Sequence, residues 1–292
     1  MDLEQVVERV WPGRPADVEQ LGGGLTNHNF KVVVDGEAFV LRIAGRDTEL
    51  LGIDRRAEHG ASLVAARLGI GPEVVQLVEP EGYLVTRFIE GSSVPPDRIS
   101  IAAVGSTLRT LHDGPPIPGR FDSFRVVEAY RETAASYGVS PPERYGWASG
   151  IAGQLEQARG DVRPVPCHND LLNANFLDDG ERLRIVDWEY AGMGDPFFDL
   201  ANFSVNHELG EEQDRELLAA YSGAAQDADL AALTLMRFMS DFREAMWGVV
   251  QQGISALDVD FAAYADEHFA RLERTAASAR FTRALAASEL RG

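Results

Sequence analysis

A polar segment enclosed by apolar runs constrains this chain more than any other feature. Residues 168–175 read HNDLLNAN, and residues 187–189, further along, read DWE. Three apolar runs border these segments, at residues 165–167, 176–177 and 183–186. A turn signal lies between the last two runs, at residues 179–180. This pattern predicts short strands that pair as a hairpin and gather the polar side chains at one end.

Those polar side chains have the chemistry that phosphoryl transfer requires. The reaction needs an oriented hydroxyl and divalent metal that holds the phosphate oxygens and absorbs their charge. Asp170 could accept the hydroxyl proton, and Asn175 and Asp187 offer the hard oxygen ligands that Mg²⁺ prefers. The order H-x-D-x-x-x-x-N and then D-x-x resembles the catalytic loop and metal-binding aspartate of the protein-kinase-like fold. The alternative is a polar hairpin whose Asp and Asn residues only cap turns.

Composition indicates an ordinary globular protein with a strong negative charge. The 292 residues are 45% hydrophobic and 25% charged, enough for one large domain or two smaller ones. The formal net charge of -19 argues against a nucleic-acid surface and would suit a cationic small-molecule substrate.

Cysteine content and hydropathy bear on the compartment. The single cysteine, Cys167, excludes an intramolecular disulfide, and its apolar surroundings predict a buried small side chain instead of a nucleophile. Residues 1–10 lack the features of a signal peptide, and no apolar run approaches the roughly 20 residues of a membrane span. We therefore expect a cytoplasmic protein without a membrane partner.

A glycine-rich loop near the start of the chain is a candidate phosphate-binding element. Gly23, Gly24, Thr26 and Asn27 precede two predicted strands that Asp35 and Gly36 separate. Glycines let backbone N–H groups approach phosphates, and the two polar side chains could add donors. A plain flexible hairpin is the alternative.

One strand further on, Arg42 alternates with apolar residues where a kinase places the basic residue that grips phosphates. The only lysine, Lys31, lies one strand earlier, so Arg42 must be that residue if the scheme holds. Glu58, inside a predicted helix over 53–68, could pair with Arg42 and orient it. The alternatives are an exposed strand charge and a solvated helix residue.

A change of pattern predicts two lobes. Strands at 74–78 and 83–88 lead through Arg87, Phe88 and Ile89 into a polar, proline-containing hinge at 92–97. We predict an N-terminal nucleotide-binding lobe over residues 1–91 and a helical catalytic and substrate-binding lobe over 92–292. The fold class is α+β and bilobal, with an antiparallel sheet in the first lobe.

The second lobe reads as helical outside the catalytic hairpins. Helical spacing is present at residues 99–112, 124–137, 147–159, 211–221, 228–253 and 261–285. Asp199, at the start of a further helix, is expected to cap it and brace the catalytic loop.

At this point the chain resembles the aminoglycoside phosphotransferase and choline/ethanolamine kinase superfamily, and the choline/ethanolamine branch most. Residues 23–27 are similar to a G-G-L-S-N loop, residues 40–43 to a strand in which Arg replaces Lys, and residues 187–190 to D-F-E-Y. Residues 168–175 match H-N-D-x-x-x-x-N, and residues 246–255 resemble the choline kinase segment after its substrate-binding tryptophans.

The resemblance implies phosphorylation of a substrate hydroxyl with ATP and Mg²⁺. It implies Asp170 as the base, Asn175 and Asp187 as metal ligands, and backbone contacts from residues 87–89 to the adenine. It also implies an aromatic box for a cationic amino-alcohol, in which Tyr190 and Trp247 are walls.

Glu244 departs from the pattern, because it stands where the family has a tryptophan of the box. A carboxylate there could favour a primary amine or a larger amino-alcohol. Two other functions stay open, an aminoglycoside or other antibiotic O-phosphotransferase and a nucleotide-binding pseudokinase without turnover. The acceptor and the choice between ATP and GTP are left undetermined.

Overall fold

In the computed structural model, which describes residues 3–22, 27–45 and 47–289, a five-stranded antiparallel sheet forms the N-terminal part. The strands are β1 (Ala16–Leu21), β2 (Asn27–Val34), β3 (Glu37–Ala44), β4 (Val74–Val78) and β5 (Tyr83–Arg87). Their order across the sheet is β1-β2-β3-β5-β4. Asp35 and Gly36, which both have positive φ, make the tight turn between β2 and β3.

A small apolar core covers one face of this sheet. Val32, Val34 and Leu41 are fully buried because alternate side chains of a strand point to the same face. Helix α1 (Leu3–Val10) and Trp11 pack against them.

Helices make up most of the remaining chain. They are α2 (Arg55–Arg67), α3 (Ile101–His112), α4 (Ser123–Ser136), α5 (Arg144–Arg159), α6 (Pro196–Asn206), α7 (Glu211–Ser222), α8 (Asp227–Ile254), α9 (Phe261–Ala277) and α10 (Ala279–Glu289). Helix α8 is central, since α4, α6, α9 and α10 all pack on it around the larger apolar core.

Short strands between α5 and α6 carry the polar motifs. They are β7 (Val165–Cys167), β8 (Phe176–Asp178), β9 (Leu183–Ile185) and β10 (Gly192–Gly194). The predicted hairpin is confirmed as the antiparallel pair β8–β9. Strand β6 (Ser92–Ser93) pairs with β8, so the start of the predicted hinge is tied to the hairpin.

Two helix predictions differ from the structure by three residues or more. The predicted helix at 261–285 is two helices, because Ser278 has extended backbone and its hydroxyl accepts the Phe281 N–H at 3.1 Å, as an N-cap does. Helix α5 begins at Arg144, three residues before the predicted start.

Helix α2 packs with the larger core although it precedes residue 92 in the chain. The lobe boundary between residues 91 and 92 therefore stays a prediction. Over the described ranges, no helix combines the length and apolarity needed to cross a bilayer. The cytoplasmic location also stays a prediction.

Candidate active site

Helix α6 holds the segment 168–175, called here the catalytic loop, from behind. The fully buried Asp199 accepts the backbone N–H groups of residues 168 and 169 at 2.8 and 2.7 Å. Asn202 accepts the Leu171 N–H at 2.5 Å. The bracing role predicted for Asp199 is confirmed, whereas Asp195 caps the helix. Three charge-assisted or buried hydrogen bonds thus fix the backbone on both sides of Asp170.

His168 links the two polar motifs. Its Nδ1 accepts the Asp170 N–H at 3.2 Å, and its Nε2 lies 3.0 Å from the Val186 carbonyl oxygen, next to Asp187. This pairing assigns the proton to Nε2. Burial lowers the pKa of His168 to about 4, so the ring is neutral near neutral pH.

Asp170 lines the cavity described below, and its carboxylate lies close to several charged side chains. Arg243 Nη1 lies 3.3 Å from one carboxylate oxygen, and the Asn175 amide donates to the Asp170 carbonyl at 2.8 Å. Burial raises the pKa of Asp170 above its ordinary value, Arg243 opposes the rise, and Glu244 and Asp187 add to it. A carboxylate of raised pKa is a stronger base than an exposed one.

Asp187 and Asn175 fit a divalent cation. Asp187, two residues after β9, has a positive φ of 67°, and its Oδ1 is buried without a hydrogen-bond partner. Arg42 Nη2 forms an ion pair with that oxygen at 2.8 Å. The Asn175 amide nitrogen is engaged with Asp170. A buried carboxylate oxygen and an amide oxygen form a donor set that Mg²⁺ accepts.

Arg42 occupies the position predicted for it on β3. It pairs with both Glu58 of α2 and Asp187. Burial opposes its charge, but Asp187 first and then Glu58 raise the pKa of Arg42 above its ordinary value. The predicted pair with Glu58 is confirmed, and it aims a permanent cation at the cavity.

Asn27 has a different neighbourhood from the one predicted. Its side-chain amide donates to Glu189 at 2.8 Å and accepts from Arg55 at 3.0 Å. Arg55 also pairs with Glu58 at 2.7 Å. Asn27 thus joins the network that orients Glu58, and its phosphate role stays a prediction. Gly23, Gly24 and Thr26 lie outside the described residues.

One cavity of about 510 Å³ brings most of the predicted site residues together. It lies between the sheet and the catalytic loop, and its volume is ordinary for a small-molecule site. The predicted residues along its wall are Arg42, Glu58, Arg87, Phe88, Ile89, Asp170, Asn175, Asp187, Tyr190, Glu244 and Trp247.

The end of the cavity beyond Asp170, called here the acceptor end, combines aromatic rings with a buried ion pair. Trp247 Nε1 donates to the Tyr190 hydroxyl at 3.0 Å, and its ring meets that of Tyr264 edge-on at 5.4 Å. Arg243 pairs with Glu244, and its guanidinium carbon lies 4.3 Å from the centroid of the Tyr190 ring.

Sequence reasoning missed Arg243 and Tyr264. The position of Arg243 within the apolar centre of a long helix was a signal that could have identified it. Tyr264 lies on α9, and nothing in the sequence linked it to the site. The Tyr264 hydroxyl donates to Glu244 Oε2 at 2.9 Å. Burial opposes ionisation of Glu244, but Arg243, His268 and this hydroxyl hold its pKa below the ordinary value. The Glu244 carboxylate, which the sequence suggested could favour an amine substrate, therefore already pairs with Arg243 of the same chain.

Residues 17–236 match the model of the family described as "Phosphotransferase enzyme family". The chain belongs to this family. Its predicted α+β arrangement, a sheet followed by a mainly helical part, is that of the family's kinase-like members. A crystal structure of a choline/ethanolamine kinase family protein from Mesorhizobium loti superposes with a TM-score of 0.83 and 35% identity, covering 96% of this chain and 95% of that one.

Two curated relatives are also similar to this chain, one over a shorter alignment and one at lower identity than the Mesorhizobium loti protein. Protein LicA of Haemophilus influenzae is 31% identical over 208 residues, 68% of this chain and 61% of the relative. Ethanolamine kinase 2 of Rattus norvegicus is 24% identical over 296 residues, 87% of this chain and 75% of the relative. The chain thus spans about three fifths of the length of the LicA relative.

Proposed function

We propose that this protein is an ATP- and Mg²⁺-dependent kinase that phosphorylates the hydroxyl of a small amino-alcohol. The observation that carries the proposal is the convergence of Asp170, Asn175, Asp187 and Arg42 on one cavity that ends in aromatic and ionic side chains. Family membership and the relatives of choline/ethanolamine kinase type support it.

The reaction follows from the positions of these groups. The acceptor hydroxyl oxygen forms a bond to the γ-phosphorus while the bond from that phosphorus to the β–γ bridging oxygen breaks, giving a phosphomonoester and ADP. Asp170 takes the hydroxyl proton. Asn175 and Asp187 would hold Mg²⁺, which supplies positive charge to the phosphate oxygens when bound.

The remaining cofactor contacts come from the N-terminal part. Arg42, fixed by Glu58, would contact the nucleotide phosphates, and residues 23–27 would cover them. Phe88 and Ile89 line the cavity where the chain leaves β5, so their backbone groups are the expected partners of the adenine. Val40 and Leu177, also on the wall, would sandwich the base.

The acceptor is expected to carry an ammonium group. The rings of Tyr190, Trp247 and Tyr264 and the carboxylates of Asp170 and Glu244 lie at the same end of the cavity, and both kinds of group attract cations. An antibiotic O-phosphotransferase is the second candidate, because the acidic groups would serve a polyamine acceptor as well.

The first experiment is ADP release by the purified protein with ATP and Mg²⁺ across amino-alcohols and aminoglycosides. Asp170→Asn, which keeps the shape of the side chain and removes the base, is the control. Turnover of amino-alcohols that disappears in Asp170→Asn supports the proposal. Turnover of aminoglycosides alone would overturn the acceptor class, and ATP binding without any turnover would favour the pseudokinase.

Trp247→Ala separates the two acceptor classes. Loss of the indole removes one aromatic wall and the hydrogen bond to Tyr190, so kcat/KM for amino-alcohols should fall at least about tenfold while the KM for ATP is unchanged. Unchanged kinetics with small amino-alcohols would contradict an aromatic acceptor site.

A further inference from the structure

Arg243 is a buried cation with an unused hydrogen-bonding edge. The residue is 1% exposed and lines the cavity. Its Nη1 makes both of its charged contacts, to Glu244 and to Asp170. Among the described residues, Nε and Nη2 have no hydrogen-bond partner. Nearly all buried polar groups are satisfied in folded proteins, so two adjacent buried N–H groups without acceptors require a cause.

Nε and Nη2 together form the side of the guanidinium that binds carboxylates in a bidentate manner. Arg159 shows the satisfied form of this arrangement in the same chain. Its Nε and Nη2 contact the Asp195 carboxylate at 3.0 and 2.7 Å. Arg243 has the same edge, more deeply buried, at the acceptor end of the cavity.

At the acceptor end, other groups that could bind a simple ammonium ion already have partners within the chain. The guanidinium of Arg243 already covers a face of Tyr190. Both oxygens of Glu244 are engaged, one by Arg243 and one by Tyr264. An acceptor with a positive charge alone would leave Nε and Nη2 of Arg243 without an acceptor, whereas an acceptor that also carries a carboxylate would satisfy them.

We propose that the acceptor is an amino-alcohol that carries a carboxylate, and that Arg243 binds this carboxylate side-on through Nε and Nη2. The inference rests on the proposed kinase function and specifies its substrate class. In this arrangement the hydroxyl meets Asp170, the carboxylate meets Arg243, and the ammonium group lies against Trp247 and Tyr264. Arg243 is then the residue that determines specificity.

Matched pairs of acceptors test this without altering the protein. Each pair differs by the carboxylate: L-serine with ethanolamine, L-homoserine with 3-amino-1-propanol, and carnitine with β-methylcholine. In at least one pair, kcat/KM for the carboxylated member should exceed that of its partner by roughly 10- to 100-fold, the range for a charge-assisted bidentate contact. Equal values, or a preference for the carboxylate-free partner in every pair, would overturn the inference.

Arg243→Lys provides the second test, because lysine keeps the charge beside Glu244 and lacks the side-on edge. The preference ratio within the favoured pair should fall about tenfold or more, mainly through KM for the carboxylated acceptor. Arg237→Lys is the matched control. It alters another arginine of α8, whose Nη1 is bonded to the Leu209 carbonyl at 2.9 Å and to Asp214, and it should leave the ratio unchanged.

The outcomes separate this inference from the proposed function. Turnover of amino-alcohols with no carboxylate preference, and with the same ratio in Arg243→Lys, would refute the substrate class and keep the kinase. Absence of turnover with every acceptor, together with ATP binding, would instead count against the kinase. If Arg243→Lys fails to fold, the matched pairs on the wild-type protein still decide.

Discussion

Protonation of His168 should destabilise the folded protein between neutral pH and about pH 5. Burial lowers the pKa of His168 from 6.5 to about 4 in the folded state. Between these values the unfolded chain binds a proton that the folded chain does not, so the free energy of unfolding falls as the pH drops. The full effect is about 3 kcal/mol, of which about 2 kcal/mol should develop between about pH 7 and pH 5.

The measurement is urea unfolding across this pH range for the wild type and His168→Gln. Glutamine keeps an acceptor and a donor but cannot take up a proton, so the variant should lose less stability than the wild type as the pH falls. All other titrating groups are shared, and the difference between the two curves isolates His168. A constant difference across the range would refute a buried neutral histidine at this position.

Two further perturbations test the metal site and the close packing of Gly91, the residue before β6. Asp187→Asn should abolish the Mg²⁺-dependent rise in melting temperature with ATP, because a metal ligand loses its charge, whereas Glu181→Gln on the exposed hairpin turn should retain it. An equal rise in Asp187→Asn would contradict its assignment as a ligand. Gly91→Ala should destabilise the fold by about 1–3 kcal/mol, since a Cβ there would clash with the Asp178 carbonyl oxygen. The control is Gly146→Ala, in a helix with open space around it, which should be neutral or stabilising by up to about 1 kcal/mol. A Gly91→Ala protein with the same melting temperature as the wild type would exclude the clash.

The site residues that sequence analysis identified share one property. Asp170, Asn175 and Asp187 lie on one hairpin and the loop before it, so local backbone geometry places them together. Arg42 and Glu58 belong to neighbouring elements of the same sheet-and-helix unit, and opposite charge made their pairing predictable. Short-range pattern and charge were sufficient for these positions.

Sequence analysis missed partners that distant segments supply and one break within a helical pattern. The contacts of Asn27 with Glu189 and Arg55 were not foreseen, and its role at the phosphates stays a prediction. The break at Ser278 was missed because the apolar spacing runs through it without glycine or proline. A pattern of apolar residues records which face is buried and gives no account of which polar groups meet there.

The sequence by itself determined the alternation that builds the sheet, the catalytic hairpin and the order of the groups for phosphoryl transfer. These depend on spacing along the chain, which backbone geometry converts directly into position. Only the tertiary structure decided the acceptor end, where Arg243 and Glu244 of α8 meet Tyr190, between β9 and β10, and Tyr264 of α9. Contacts between separate helices depend on how their surfaces pack, and that packing makes the Glu244 carboxylate one half of a buried ion pair.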